Sequence, residues 1–224
     1  MERLILLVIF LGSFSYDLSA SEFSMKQVNI NISGAAVSLS VPNDEAKDFI
    51  PYESLKVVNA FDSEAYDGEY YNQNLTEHYW IFKGYPWQGR FGRIGGMLLS
   101  VSLWQLNDDR NDVETLKKWS QTRVEKRVKK VADKLNETLQ GEFKFDTRQL
   151  SEGAIESVYQ KDGPHLGRGL EVEYVFPLFE GHALVLNGRI RADSGYEEKV
   201  YSKARRQLEV IRGALNIIPN TTSN

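Results

Sequence analysis

The chain has 224 residues, 27 of them basic and 31 acidic, a formal net charge of −4 and no cysteine. That length supports one domain with a sizeable core, and the even charge balance lacks the concentrated basic footprint that nucleic-acid binding needs. Without cysteine there is no thiol nucleophile, no thiolate metal site and no disulfide, so apolar burial and hydrogen bonds must hold the fold.

Arg3 precedes the apolar run Leu4 to Leu11, and Gly12, Ser13 and Leu18-Ser19-Ala20 follow. A basic start, a short apolar block and small residues are the layout of a secretory signal peptide. The run is shorter than the roughly 20 residues that a membrane span needs. Residues 1–20 are therefore read as a leader and residues 21–224 as a single domain working outside the cytoplasm. The bacterial periplasm fits best, with secretion from a eukaryotic cell left open. Asn-x-Ser/Thr triplets at Asn31, Asn74, Asn136 and Asn220 arise easily by chance and carry little weight.

Val28, Ile30 and Ile32 alternate with polar residues, Ser33-Gly34 makes a turn, and Val37, Leu39 and Val41 alternate again, which predicts a hairpin that Pro42 stops. Residues 43–76 read as a long acidic, tyrosine-rich loop with one strand near Leu55 to Val58. Tyr79 to Phe82 resumes strand character, Gly84 to Gly96 is a glycine-rich connection, and Met97 to Leu106 is a strand. Over 112–140 the period changes: Val113, Leu116, Val124, Val128, Val131, Leu135 and Leu139 form an amphipathic helical stripe. Asn111 and Glu114 make a capping box at its start, and Gly141 is placed to end it.

Four strand-like runs follow, Phe143 to Leu150, Ala154 to Gln160, Leu170 to Phe176 and Ala183 to Ile190. In the third, Leu170, Val172, Tyr174 and Phe176 share one face and Glu171 and Glu173 the other, as in an antiparallel sheet with one buried face. Ser194 and Glu197 form a second capping box before the stripe Val200, Ala204, Leu208, Ile211 and Leu215. Pro219 closes this helix, and the Asn220 to Asn224 tail is expected to fray.

The order of elements predicts an α+β fold, one antiparallel sheet covered by two helices. It resembles the PsbP-like α/β sandwich. The residues that carry the likeness are the opening pair Val28–Ile32 and Val37–Val41 with Pro42, the long helix from Asp112, and the closing helix ending in Ile211 to Leu215. The resemblance implies a non-enzymatic, partner-binding domain and supplies no catalytic residues to carry over.

Candidate sites are sparse. His78, His165 and His182 are the three histidines, and none stands three or four residues from another, so local metal spacing is missing. His78 and His182 fall in strand-like runs, where a hydrogen-bonded structural role is expected. No Gly-x-Ser-x-Gly elbow is present. Asp67-Gly68-Glu69, within the acidic cluster that begins at Asp62, departs from calcium-loop spacing and reads as a solvated loop. Gly89, Gly92, Gly95 and Gly96 precede a strand where a dinucleotide cradle would precede a helix, so they read as a bend. The long helix carries eight basic residues between Lys117 and Lys134, and a solvated face is favoured over a membrane-binding one. No metal or cofactor is expected.

The candidate partner-binding residues are Tyr85, Trp87, Arg90, Phe91 and Arg93, in the connection between two strands, with His165 and Arg168 in the loop Gly163 to Gly169. Trp, Tyr and Arg dominate interface hot spots, and connecting segments are where function concentrates. The other reading, rings that close one end of the sandwich, stands beside it. The functional expectation is an exported, non-enzymatic protein-binding module, in concrete form an immunity protein that inhibits a secreted bacterial toxin. The alternatives are a carrier or sensor of a small apolar molecule held near Tyr174 and Phe176, and a hydrolase with scattered residues.

Overall fold

The computed structural model describes residues 24–46, 56–66, 71–84, 92–106, 110, 112–135, 144–161, 169–179 and 181–218. Its first feature is the expected hairpin, β1 (Met25–Ile32) and β2 (Ala35–Pro42), joined by Ser33 at φ 48° and Gly34 at φ 92°. Two successive positive φ values are those of a type I′ turn, whose twist matches the flanking strands. The Asn31 side-chain oxygen accepts the Gly34 N–H and closes the turn.

The hairpin is not part of the main sheet. With the short β3 (Val57–Val58) parallel to β1 and β10 (Asn216–Ile218) antiparallel to β2, it builds a four-stranded sheet in the order β10-β2-β1-β3. The larger sheet contains β4 (Asn72–Lys83), β5 (Arg93–Gln105), β6 (Lys144–Gln149), β7 (Ile155–Lys161), β8 (Gly169–Phe179) and β9 (His182–Ala192), in the antiparallel order β4-β5-β9-β8-β7-β6. Two helices complete the fold, α1 (Val113–Leu135) and α2 (Glu197–Gly213).

The main core lies between the two sheets and α2. Ile32, Leu39, Trp80, Leu99, Tyr174 and Leu208 all meet there and are almost wholly buried. The opposite face of the large sheet packs against α1 through Trp104, Leu116, Val175 and Val185, with Trp119 half-buried at the edge. The α+β sandwich expected from the sequence is therefore present, with the correction that two sheets share the work and each helix takes a different face of the larger one. Alternating patterns reveal how many residues face inward, but not which partner they face.

Several local expectations are corrected. Strand β4 begins at Asn72, inside the stretch read as a loop, and tolerates its polar start because β5 supplies the ladder partners Trp104 and Leu103. Gly95 and Gly96 belong to β5 and not to a connection. A Cβ at Gly95 would meet Val200 of α2 at 2.8 Å, and one at Gly96 would stand 2.7 Å from the Tyr79 hydroxyl. Glycine is here because neighbours approach closely, a second use of the residue that sequence cannot separate from bending. The α1 cap is Asp112, whose carboxylate accepts the N–H groups of Glu114 and Thr115, while Asn111 lies outside the described residues. At α2, Tyr196 is the cap residue without a side-chain bond, and Glu197 accepts the Gly195 N–H instead of pairing with Ser194. Glu171 and Glu173, expected to face water, are buried beside α1. The leader 1–20, Gly141, the Asp67-Gly68-Glu69 stretch, Pro219 and the tail lie outside the described residues.

Candidate functional site

Three clusters of titratable side chains are buried in the fold, and their surroundings decide what each can do. The first lies under α1. Glu173 is fully buried and accepts hydrogen bonds from Arg123 of α1, from the Asn187 amide at 2.8 Å and from the Tyr159 hydroxyl at 3.2 Å. Tyr159 also bonds Glu171, which lies 4.0 Å from Arg189. Arg123 lies against the edge-to-face pair Trp104 and Trp119, its guanidinium 4.6 and 4.9 Å from the two ring centres. Glu173 is thus neutralised by Arg123, and that cation also lies against two aromatic rings. Glu173 is 0% exposed, so a substrate does not reach this carboxylate.

The second cluster lies on the α2 side. Glu156, 1% exposed, receives Arg148 from β6 and Arg205 from α2. The hydrogen bond and charge of Glu156 hold the Arg148 guanidinium above its usual range. Tyr174, pressed against the same carboxylate in the core, is raised mainly by burial. Tyr174 and Phe176 are packed into the closed core, where the carrier reading needed an open pocket.

The third cluster joins Glu45, His78 and Thr76. Glu45 bonds His78 Nδ1, His78 Nε2 stands 3.1 Å from the Thr76 hydroxyl, and Lys26 pairs with the other Glu45 oxygen. The order acid, imidazole, hydroxyl is that of a hydrolytic triad. Access is what it lacks: Thr76 is 0% and His78 2% exposed. Burial pushes the His78 pKa below its ordinary value despite the pull of Glu45. His182 likewise serves the fold, bonding the Ala60 carbonyl at 3.0 Å. Both histidines therefore have the structural role expected of them.

A depression of about 340 Å³ lies on the outer face of the small sheet, lined by Asn29, Asn31, Ser38, Asn216 and Ile218, with none of these carboxylates or histidines in its wall. Among the described residues no group of three or more acidic or histidine side chains is placed to hold a metal ion. No helix among them is long and apolar enough to cross a membrane.

A different surface has the makings of a binding site. α1 packs over β6 and β7, and the same face of the sheet continues across β9, β5 and β4. Cross-strand register lines up three rows there. Lys83 is opposite Arg93; Ile81, Gly96 and Arg191 form the next row; Tyr79, Leu98, Arg189 and Glu171 the third. Lys83, Arg93, Arg189 and Arg191 are all exposed, while Tyr79, Ile81 and Leu98 are half-buried between them. The Arg93 guanidinium sits 5.7 Å over the Tyr79 ring. An irregularity between Phe82 and Lys83 in the β4–β5 pairing puts Arg93 on the Tyr79 side, the re-aiming that bulges commonly perform.

Of the residues singled out from sequence, Arg93 is part of this corner. Tyr85, Trp87, Arg90, Phe91, His165 and Arg168 lie outside the described residues. Their attachment points are nonetheless informative. The 84–92 connection leaves the sheet from Lys83 and returns at Arg93, and the 162–168 connection leaves from Lys161 and returns at Gly169, which pairs with Arg191. Both stretches therefore start and finish at the end of the sheet that carries Arg191. Lys83, Arg189 and Arg191 escaped the sequence reading. The alternation Arg189-Ile190-Arg191 was the available signal, but only the sheet order places those arginines beside Arg93.

No family model matches the chain, and no curated protein matches it in sequence. Among solved structures it is similar to the Ran-binding protein Mog1p of Saccharomyces cerevisiae, at 11% identity over 88% of this chain and 97% of that one, with a TM-score of 0.46. A point mutant of protein Mog1 gives 12% identity, 88% and 98% coverage and a TM-score of 0.45. LpqN of Mycobacterium tuberculosis, described as involved in cell envelope biogenesis, gives 10% identity, 89% and 94% coverage and a TM-score of 0.40.

Proposed function

We propose that the chain is an exported, non-enzymatic protein-binding module that acts by surface fit, and that in its concrete form it inhibits a secreted bacterial toxin. The observation that carries this reading is the corner where Lys83, Arg93, Arg189 and Arg191 surround Tyr79 and Leu98. Both connections that hold the aromatic and arginine candidates leave the sheet at that same end. Arginine over an aromatic floor is the composition of interface hot spots. The buried clusters favour the same reading, because each carboxylate and histidine in them is engaged by its neighbours and closed to a substrate. Removal of the leader and the PsbP-like element order are further parts of the proposal.

Trp87→Ala, Arg90→Ala and Arg93→Ala test it. Each is expected to weaken binding of the mature chain to its protein partner by about tenfold, some 1.4 kcal/mol, in titration calorimetry. On this reading the melting temperature should stay within about 2 °C. Unfolding of all three variants would make the connection structural, and reproducible turnover of a substrate by the wild-type protein would replace the binding reading with an enzymatic one.

A further inference from the structure

Resting on the protein-binding reading, we infer that the open corner of the large sheet docks an extended acidic segment of the partner protein. The four cations Lys83, Arg93, Arg189 and Arg191 come from three different strands and meet on one face. The whole chain has a formal net charge of −4, so composition alone does not place them together. Tertiary structure concentrates them.

Their local balance is only partly spent. Arg189 pairs with Glu171 at 4.0 Å and keeps half of its side chain exposed. Arg191 has no ion pair among the described residues. Arg93 faces the Tyr79 ring. Three of the four are guanidiniums, which grip a carboxylate with two parallel N–H donors where an ammonium offers a point charge. Such a corner suits carboxylates and phosphates alike, and its extent decides between them.

Spacing selects the shape of the ligand. Arg189 and Arg191 are alternate residues of one strand, so their attachment points are roughly 7 Å apart, the repeat of alternate side chains in any extended peptide. Lys83 and Arg191 are separated by two strand spacings and one row, roughly 12 Å. A footprint of that size matches two or three carboxylates on one extended segment. It is small beside the long phosphate track of a nucleic acid or the plane of a membrane. Between the cations, Tyr79, Ile81 and Leu98 offer apolar contact for the aliphatic stems of the segment. Lys118, Lys126 and Lys129 on exposed positions of α1, over the same side of the sheet, add long-range attraction.

The test uses the full mature chain and a fluorescein-labelled peptide of alternating glutamate and serine, read by anisotropy. Wild type is expected to bind it, more weakly as salt rises. The pair Arg189→Glu with Arg191→Glu should weaken binding by about tenfold or more, while Lys118→Glu with Lys126→Glu changes it less than about threefold. Arg189→Gln with Arg191→Gln, a milder pair at exposed positions, replaces the reversal if that unfolds. Equal losses from the strand pair and the helix pair would overturn the inference in favour of a diffuse field. Binding to vesicles of phosphatidylcholine with phosphatidylglycerol, or to single-stranded DNA, that exceeds peptide binding and falls with the strand pair would overturn it too. If the toxin binds wild type and is weakened by Trp87→Ala, but neither arginine pair nor salt alters that binding, the protein-binding reading stands and the acidic segment falls.

Discussion

His78 is the side chain whose protonation the fold feels most directly. It is enclosed by Thr76 and Trp80 on its own strand, by Glu45 and Lys26 across the sheet edge, and has Glu77 nearby. Burial lowers its pKa, since an imidazolium there loses its hydration, and Glu45 cannot offset this because it is shared with Lys26. A histidine that is harder to protonate when folded contributes stability above its unfolded pKa of about 6.5 and loses it as pH falls below that value. The urea midpoint is therefore expected to drop between pH 7 and pH 5. In His78→Gln that drop should shrink, and an unchanged pH dependence would show that another group sets it.

Arg123 is the second informative residue. Removing it in Arg123→Ala leaves the fully buried Glu173 without its cation, which costs roughly 3–5 kcal/mol. It also removes the cation that lies against Trp104 and Trp119. The double change Arg123→Met with Glu173→Gln should recover a large part of that loss in urea unfolding, because no unpaired charge remains. If the single variant is as stable as wild type, the Glu173 network does not hold α1. In sequence Arg123 was one of many basic residues on the helix. The inward face of α1 was legible from Leu116 and Val124, but an arginine facing inward has no periodic signature of its own.

At the scale of elements, each helix brings an arginine to a glutamate on a sheet strand: Arg123 of α1 to Glu173 of β8, and Arg205 of α2 to Glu156 of β7. Apolar stripes let a helix slide and rotate on a sheet, whereas such a pair is satisfied in one position only. Close packing fixes α2 further. A Cβ at Gly188 would overlap the buried Leu208 side chain, so Gly188→Ala makes Leu208 repack and is expected to cost on the order of 1–3 kcal/mol. Gly153→Ala, with open space apart from Pro177 at 3.9 Å but a φ of +70°, should cost about 1 kcal/mol by backbone strain alone. Comparing the two by thermal unfolding separates crowding from conformation, and equal losses would argue against the tight α2 contact.

At the scale of the whole molecule, among the described residues, a basic corner and an acidic patch lie at opposite ends of β9. Strand β9 starts at His182, beside the stacked pair Phe61 and Phe179 and the acidic Asp62 and Glu64. It ends next to Arg191, on the order of 30 Å away at strand spacing. An acidic segment is thus drawn to one end and repelled from the other, which gives orientation to an encounter before contact. α2 is the structural link, since it touches β2 of the small sheet and β5, β8 and β9 of the large one. Unfolding is expected to be a single transition in which far-UV ellipticity and the fluorescence of Trp80, Trp104 and Trp119 change together. Separate midpoints would show that the α1 side melts alone.

The sequence by itself determined the types of most elements, the first hairpin and the apolar stripes of both helices, though not the closing strand β10, because alternation and helical period are local consequences of backbone geometry. It also pointed to Arg93 and to the two connections that leave from one end of the sheet. Tertiary structure alone decided that the hairpin joins β3 and β10 in a second sheet, that Glu156, Glu171 and Glu173 lie inside, and that Arg189 and Arg191 stand beside Arg93. Strand order joins residues about a hundred positions apart, and nothing in a local pattern encodes which strand a given edge will choose.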